Sequence, residues 1–301
     1  MKNLFKARGN VEEGWRTSLK RSSRLSVAIP ASFVSDIPHL REKTFRIGMV
    51  GRAASIFRVD EVIVYPDYPK IDQRRDINLI ATILAYMETP QYLRKRLFKI
   101  QPELEYAGVL PPLRTPHHPL ADRIKDLKVG EFREGAVVSY SQGGSLVDVG
   151  VEQPILVADT KLKPNTRVTL RITALGKHPK AVPANPREIQ SYWGYQVMIS
   201  DVSFGRLVGK GSFDLVVATS RKGKPVHAVM DELAARWKQA RKMLVAFGAP
   251  TQGLFEIAAH EHVRLEDIAH FIVNTLPKQV TETVRTEEAL YASLAVFNAL
   301  E

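Results

Sequence analysis

Three segments in the last third of the chain place small and polar residues directly after apolar runs. They are VVATS, ending at Thr219 and Ser220, VAFGAPTQG, whose loop covers 247–253, and IVNTLPKQ, whose loop covers 274–279. Short apolar runs indicate strands, and in open parallel sheets ligands bind beyond the carboxyl ends of the strands. Small residues there let a ligand approach backbone amides and carbonyls, which can contact an adenine edge or a carboxylate. These segments predict a small-molecule site, and three ordinary strand-to-helix turns are the alternative.

Several other chemistries are excluded or unsupported. Neither GxGxxG nor GxxxxGK[ST] occurs, so dinucleotide and Walker-type phosphate sites lack support. The chain has no cysteine, which excludes disulfides, zinc–thiolate sites and thiol nucleophiles and disfavours thiol-adduct chemistry at pyrimidine C5. His260, His262 and His270 are close in sequence, but AAHEHVRLED indicates a solvated turn, so we predict no metal site. His117 and His118 lie in a Pro-rich hinge and suggest no mechanism.

The segment TLPKQVTETVRTEEALYASL predicts the start of a last helix, from about residue 284 to the end. Thr281 or Thr283 can cap it, and Glu287 and Glu288 suit the positive end of its dipole. Arg285 does not fit this pattern, because a cation in the first turn of a helix is unfavourable. We therefore expect Arg285 to have another task, and a surface ion pair is the alternative.

Apolar patterning predicts the elements that position these segments. RLSVAIP and DEVIVYPD indicate strands, with a helix at about 37–57 between them and a second helical region at about 76–98 that Pro90 divides. After residue 203, predicted strands and helices alternate again. The strands are SFDLVVATS, KMLVAFGAP and AHFIVNTLP, and the helices are VMDELAARWKQAR, TQGLFEIAAH and the last helix. This alternation predicts an α/β fold with a parallel sheet.

The middle of the chain has a different pattern. Between about 128 and 202 it predicts five short strands, GAVVSY, SLVDVG, PILVA, TRVTLRITA and GYQVMIS. Five strands in about 75 residues fit a small barrel of the OB type, with an SH3-like barrel as the alternative. Neither α/β half has enough strands for its own sheet. We therefore predict a basic N-terminal arm at 1–24, a discontinuous α/β domain at 25–112 and 203–301, and an inserted barrel domain at 113–202.

The charge of the chain predicts a polyanionic partner. The net charge is +11 and the isoelectric point is about 9.7, and Lys and Arg that neutralise phosphates release counterions. RNA and DNA are favoured over an anionic membrane, and a basic enzyme without such a partner is the alternative. The arm at 1–24 could contact RNA or be a solvated terminus. The first residues lack a signal-peptide pattern and no run is long enough to span a bilayer, so we expect a soluble, cytoplasmic protein.

The C-terminal motifs resemble those of a known family. FIVNTLPKQVTETVRTEEALYASL and LVAFGAPTQGLFEI are similar to signatures of SPOUT-class RNA methyltransferases, in the archaeal and eukaryotic branch that carries an OB-like insertion. SVAIPASFV, MVGRAASIFRVDEVIVY and LRTPHHP also resemble this branch, so the likeness covers nearly all of the chain after Arg24. Val280 is a departure, because the branch usually has Gly there, where the backbone or the cofactor could require it.

The resemblance implies a fold, a cofactor and an assembly. SPOUT domains are parallel α/β sheets with a C-terminal trefoil knot, a rare exception to the rule against knots. They form two-fold homodimers, in which Leu290, Leu294 and Phe297 of the last helix are candidate interface residues. The knot loops bind S-adenosylmethionine. The matching positions here are Thr219, Gly248, Pro250, Gly253, Asn274, Thr275, Leu276, Pro277, Gln279 and Thr283.

The resemblance also implies a reaction, in which a nucleophile displaces the sulfonium methyl directly and alignment supplies most of the catalysis. Arg285, Arg52 and Glu288 are the candidate catalytic residues. Arg285 could hold a phosphate or stabilise charge on a base. A helix-surface position is the alternative for Arg52, and helix-dipole stabilisation is the alternative for Glu288.

The inserted barrel supplies basic and aromatic side chains that could bind RNA. The candidates are Arg167, Arg171, Lys177, Tyr192 and Tyr195. We predict methylation of a ribosomal RNA base at a ring nitrogen, such as uridine N3, with a ribose oxygen as the alternative. Two other functions remain open: a non-catalytic RNA-binding or ribosome-assembly factor with this fold, and a small-nucleotide-binding protein whose charge is incidental.

Overall fold

The computed structural model describes residues 20–300, which form two compact units. The α/β unit comprises 21–88, 101–112 and 194–301, and the barrel unit comprises Lys20, 89–100 and 113–193. Most of the predicted basic arm lies outside the described residues. The α/β unit is discontinuous in sequence, and its boundaries differ from the predicted ones at 89–100 and 194–202.

A six-stranded sheet forms the centre of the α/β unit, and every neighbouring pair of its strands is parallel. Its order is β11-β9-β10-β1-β2-β8. The strands are β1 (Arg24–Pro30), β2 (Glu61–Tyr65), β8 (Gln196–Ile199), β9 (Leu215–Pro225), β10 (Lys242–Ala246) and β11 (Phe271–Asn274). Val27, Val62 and Val245 of the central strands are fully buried, as expected for a sheet that is covered on both faces. The predicted parallel α/β sheet is therefore confirmed.

Helices follow most strands of the sheet. They are α1 (Leu40–Ile56), α2 (Arg74–Glu88), α3 (Gln91–Leu97, in the barrel unit), α4 (Phe204–Lys210), α5 (Met230–Gln239), α6 (Leu254–His260), α7 (Leu265–Ile268) and α8 (Thr286–Asn298). Pro90 separates α2 from α3, as predicted, because proline has no backbone N–H to continue the first helix. Among residues 20–300, no helix is long and apolar enough to cross a membrane.

Helix α8 uses its apolar face inside the α/β unit. Leu290, Leu294 and Phe297 are all at most 1% exposed, and the ring of Phe297 lies 5.3 Å from that of Trp237 on α5. The same helix packs against α1. The prediction that these three residues form a subunit interface is therefore wrong, because they already belong to the core of a single chain.

The barrel unit contains a closed five-stranded barrel with the order β3-β4-β5-β7-β6. Its strands are β3 (Phe132–Ser141), β4 (Gly144–Asp148), β5 (Ile155–Ala158), β6 (Arg167–Ala174) and β7 (Lys180–Pro183). Val137, Val147, Ile155 and Leu170 are among the buried residues of its core. Helix α3 packs on this unit through Tyr92, whose hydroxyl donates to the carbonyl of Glu134 at 2.8 Å.

One strand was assigned to the wrong sheet. GYQVMIS contains β8, which pairs in parallel with β2 in the α/β unit, and the fifth barrel strand is instead KAVP, which pairs antiparallel with β6. Both segments are short and apolar, and the period of a strand does not identify its pairing partner. This exchange is why the barrel unit ends at Trp193 rather than at residue 202.

Candidate functional site

The three predicted segments meet at one cavity of about 390 Å³, which lies at the carboxyl ends of β10 and β11 and beside residues 219–222 of β9, just after its pairing with β10 ends. Nine of the ten predicted cofactor-binding residues line it. They are Thr219, Gly248, Pro250, Gly253, Asn274, Thr275, Leu276, Gln279 and Thr283. Pro277 is the exception and lies outside the lining. The cavity falls within the size range of small-molecule sites.

The loop that follows β10 is tightly folded. The amide of Ala249 donates to the carbonyl of Gln252 at 2.9 Å, which closes a turn over 249–252. A Cβ added to Gly248 would lie 2.9 Å from Cα of Gly253 and 3.0 Å from the carbonyl of Gln252. The Thr286 hydroxyl donates to the Gly248 carbonyl at 2.9 Å, which ties the start of α8 to this loop. The loop can therefore adopt this shape at the cavity only because Gly248 has no side chain.

Strand β9 leaves its ladder with β11 at the cavity. Ala218 pairs with Ile272, but the next pair joins Lys224 to Val273, so the five residues 219–223 interrupt the register of this ladder. The carbonyl of Arg221 in this segment accepts from the side chain of Asn274 at 3.1 Å. We call residues 219–223 the β9 excursion.

Sequence reasoning identified Thr219 but missed the charged residues of the cavity. These residues are Arg221, Lys222, Glu256 and Glu282. A signal was available in Thr-Ser-Arg-Lys-Gly directly after the buried run LVVA, because charged residues in a central strand indicate that the chain leaves the sheet.

The third loop, after β11, contains the departure from the family pattern. The amide of Leu276 donates to the Asn274 side chain at 2.9 Å, and the amide of Gln279 donates to the carbonyl of Leu276 at 3.1 Å. Val280 is fully exposed and lies outside the cavity lining. Its φ angle is not positive, so the position does not require glycine. Valine at 280 is therefore compatible with the structure of this loop.

A buried carboxylate connects the loop after β10 to the rest of the sheet. Asp67, which follows β2, is 2% exposed and accepts from the amide of Ser32 at 3.1 Å and from its hydroxyl. It also accepts from Nε2 of Gln73 at 2.8 Å and from Nε2 of Gln252 at 2.7 Å. Because Gln252 lines the cavity, Asp67 fixes one wall of the cavity without being part of it. No sequence pattern indicated this network.

None of the three candidate catalytic residues is part of the cavity lining, and Arg285 and Glu288 lie at the start of α8 beside it. Arg285 is the exposed residue before α8, between Val284 and Thr286, which both line the cavity. Its amide donates to the Glu288 carboxylate at 2.9 Å, so Glu288 caps the helix, and the predicted caps Thr281 and Thr283 are not used. Arg52 on α1 donates to the carbonyl of Pro112 at 2.8 Å and lies outside the cavity lining.

Four of the five predicted RNA-binding residues fall into two groups, the buried tyrosines and the exposed basic residues. Tyr192 and Tyr195 are each 3% exposed, and Tyr195 belongs to the α/β unit, where its hydroxyl donates to the Leu84 carbonyl at 3.0 Å. Burial prevents either ring from stacking on a base, so their assignment to RNA is corrected. Arg171 and Lys177 are exposed on the barrel unit.

Arg167 has a structural partner inside the barrel unit. Its Nε donates at 2.5 Å to the buried carboxylate of Glu134, which also accepts from Thr169 at 2.7 Å and from Trp193 Nε1 at 2.5 Å. A buried charge of this kind requires its partners. The Arg167 guanidinium therefore serves the fold of this unit, as does the Trp193 indole.

The histidines have structural contacts. His117 is fully buried in the barrel unit, with Nδ1 3.1 Å from the Thr115 hydroxyl and its ring 4.3 Å from that of His118. In the α/β unit, Nδ1 of His270 accepts from the amide of Val216 at 3.0 Å. Within residues 20–300, no group of three or more potential ligands is arranged to hold a metal ion.

His270 predicts a pH dependence of stability. Burial lowers the pKa of its imidazole from 6.5, and the charge of Arg236 makes a smaller contribution. Only the neutral ring can accept from the Val216 amide. The folded-state pKa lies below the unfolded one, so the stabilisation is present above pH 6.5 and is lost as pH falls through the folded-state value. Urea unfolding at pH 7.5 and pH 5 should show that His270→Gln removes this part of the dependence. We expect less than about 1 kcal/mol, because the ring is partly exposed.

The control for this measurement is His178→Gln, at an exposed histidine of the barrel unit. It should leave the pH dependence as it is in the unaltered chain. An equal pH dependence in the unaltered chain and in His270→Gln would contradict the assignment.

Comparison with known proteins identifies related chains. A family model described as "Putative RNA methyltransferase" matches residues 24–297. A Drosophila melanogaster protein named 28S rRNA (uridine-N(3))-methyltransferase is 33% identical over 91% of this chain and 61% of its own length. The human protein of the same name is 32% identical over 91% of this chain and 78% of its own length. An uncharacterised protein of Haloarcula marismortui is 33% identical, with 92% of this chain and 99% of that protein covered. This chain thus spans less than two thirds of the fly relative and nearly all of the archaeal one.

Proposed function

This chain belongs to that family of RNA methyltransferases, and on this premise we propose that it methylates N3 of a uridine in ribosomal RNA, with S-adenosylmethionine as the methyl donor. The observation that carries the proposal is the cavity, which nine of the ten residues inferred from the family motifs line together. Relatives named as uridine-N3 methyltransferases of 28S rRNA support the choice of RNA and atom.

The residues of the cavity fit S-adenosylmethionine. Gly248 and Gly253 expose the backbone of the loop after β10, and the loop after β11 adds Asn274 and Gln279. Backbone amides and carbonyls in such loops can contact both edges of an adenine, and a cavity of about 390 Å³ accommodates a ligand of this class. When bound, the donor supplies a methyl group on a positively charged sulfur.

The chain itself has to position the uridine and stabilise its charge. Attack through N3 requires the N3 proton to pass to solvent water, so negative charge develops on the base. The charge is neutralised when the base accepts the methyl group, which leaves the sulfonium as a neutral thioether. Arg285 is exposed and lies in sequence between two residues that line the cavity, so we infer that its guanidinium stabilises this charge or holds a neighbouring phosphate once the RNA is bound. Glu288 keeps Arg285 at the start of α8 by accepting its amide.

We further propose that the α/β unit is a SPOUT domain with a trefoil knot and that the chain forms a two-fold dimer. The family motifs support the SPOUT assignment, and the parallel sheet and the site at the carboxyl ends of β9, β10 and β11 agree with it. Because the apolar face of α8 is internal, the dimer interface must use other residues. Sedimentation equilibrium tests the assembly, and a mass of about 33.8 kDa at micromolar concentration would reject the dimer.

The barrel unit is proposed to be an OB-type barrel that binds RNA. Its strand order, with the fifth strand inserted between the third and the fourth, supports the OB assignment over an SH3-like barrel. Exposed Arg171 and Lys177 can neutralise phosphates, so charge reversal at both should weaken RNA binding and reduce its salt dependence. Unchanged affinity and unchanged salt dependence would contradict the proposal that the barrel binds the RNA.

The test of function uses unmodified ribosomal RNA made by transcription, labelled S-adenosylmethionine and the full chain. Mass spectrometry of the digested RNA should find N3-methyluridine. Arg285→Ala should lower kcat about 100-fold and leave the affinity for S-adenosylmethionine nearly unchanged, because the guanidinium acts on the base.

Arg264→Ala, at an arginine 76% exposed elsewhere in the α/β unit, is the matched control and should retain full activity. RNA binding without any methyl transfer would favour the alternative of a non-catalytic ribosome-assembly factor. Methylation of a ribose would support methyltransferase activity but would reject uridine N3 as the modified atom.

A further inference from the structure

An ion pair lies in the wall of the cavity. Lys222 of the β9 excursion and Glu256 in the first turn of α6 both line the cavity, and their side chains form a salt bridge. The side chains are 61% and 44% exposed, so both charged ends can be reached from solvent. A pair this exposed contributes little to folding. It is therefore available for another role.

The local structure fixes both charges. The amide of Lys222 donates to the Ser220 hydroxyl at 3.1 Å, and its ammonium lies 5.9 Å from the centre of the Phe255 ring. Gly223, which follows, packs so closely on β11 that an added Cβ would lie 2.8 Å from the carbonyl of Ile272. The hydrogen bond from Lys222 is the main cause that lowers the pKa of Glu256, which is therefore ionised at neutral pH.

Arg221, another charged residue of the lining, is bound to the backbone. Arg221 donates through Nη1 to the backbone carbonyl of Glu282 at 2.7 Å, which joins the β9 excursion to the loop after β11. Among the charged side chains of the lining, Lys222 and Glu256 form an ion pair with each other. A positive and a negative group at hydrogen-bond distance match a ligand in which one carbon atom carries both an ammonium group and a carboxylate.

We propose that Lys222 and Glu256 bind the amino-acid end of S-adenosylmethionine, with the Lys222 ammonium on its α-carboxylate and the Glu256 carboxylate on its α-ammonium group. This inference rests on the proposed function. Binding exchanges one ion pair for two, so no charge is left without a partner. The adenosine end then occupies the part of the cavity lined by the loops after β10 and β11.

Titration calorimetry with two ligands tests the proposal. S-adenosylmethionine has the amino-acid end, and 5′-methylthioadenosine lacks it but keeps the adenosine and the sulfur. We expect Lys222→Ala and Glu256→Gln each to weaken binding of S-adenosylmethionine about tenfold, a typical effect of one charge-assisted hydrogen bond, and to leave binding of 5′-methylthioadenosine unchanged. Lys224→Ala is the matched control, because Lys224 is an exposed lysine on the same strand outside the cavity lining.

The outcomes separate this proposal from the proposed function. An equal loss for both ligands, or no loss for either, would overturn the role of the pair while S-adenosylmethionine binding by the unaltered chain would still support a methyltransferase. Weaker RNA binding by Lys222→Ala with unchanged S-adenosylmethionine affinity would make Lys222 a phosphate contact and would also overturn it. Failure of the unaltered, folded chain to bind either ligand would overturn both proposals.

Discussion

Gly248→Ala is expected to weaken S-adenosylmethionine binding by at least about 100-fold while the chain stays folded. The added Cβ would meet Cα of Gly253 at 2.9 Å, the carbonyl of Gln252 at 3.0 Å and the amide nitrogen of Leu254 at 3.1 Å. All three are backbone atoms, which cannot rotate away as a side chain would. The loop after β10 must therefore open, and the backbone groups that would contact the donor lose their positions.

The matched control is Gly209→Ala, because Gly209 lies on α4 with nothing within 4 Å of an added Cβ. Alanine is favoured over glycine in a helix by about 1 kcal/mol, so this variant should bind normally and unfold no more easily than the unaltered chain. Calorimetric titration and urea unfolding of both variants give the comparison. Normal binding by Gly248→Ala would show that the loop tolerates the shift and that the donor does not depend on its shape.

The sequence predicted most of the α/β unit because its strands have strong local signals. LSVAIP, EVIVY and LVVA are short, largely buried runs that favour covered parallel strands, and Pro90 marks a helix boundary by its missing N–H. The pairing of strands is a non-local property, and this is where prediction failed. QVMI and KAVP have similar local patterns, yet they belong to different sheets.

The candidate site was predicted through its loops, because motifs confined to a few residues bring their own geometry. Tertiary contacts were out of reach. The burial of Tyr192 and Tyr195, the pairing of Arg167 with Glu134 and the internal position of Phe297 depend on distant segments. Charge and ring type made these side chains resemble binding residues, but the same properties also suit a buried polar network. The solvent exposure of a side chain decides between the two roles, and this exposure cannot be derived from a single sequence.

Asp67 is the strongest case of a residue that no motif marks, and Asp67→Ala is expected to destabilise the chain by about 3–5 kcal/mol. The change leaves the donors of Ser32, Gln73 and Gln252 buried without their acceptor. Each unsatisfied buried donor costs about 1–3 kcal/mol, and partial relaxation keeps the total below the sum. Urea unfolding measures the loss, and Asp36→Ala, at an exposed aspartate of the same unit, should cause none.

The same network predicts that one substitution, Gln252→Ala, affects donor binding more than it affects the free energy of unfolding. Gln252→Ala removes only the link between Asp67 and the loop after β10, so it should cost about 1 kcal/mol of stability. Because Gln252 also lines the cavity, the variant should bind S-adenosylmethionine more weakly than its small loss of stability would suggest. If Asp67→Ala lost less than about 1 kcal/mol, the carboxylate would not be the centre of the network. If Gln252→Ala bound the donor normally, the contact between Asp67 and Gln252 would have no functional consequence, and the loop would hold its shape through other contacts, such as the Tyr65 hydroxyl on the Phe247 carbonyl and the Thr286 hydroxyl on the Gly248 carbonyl.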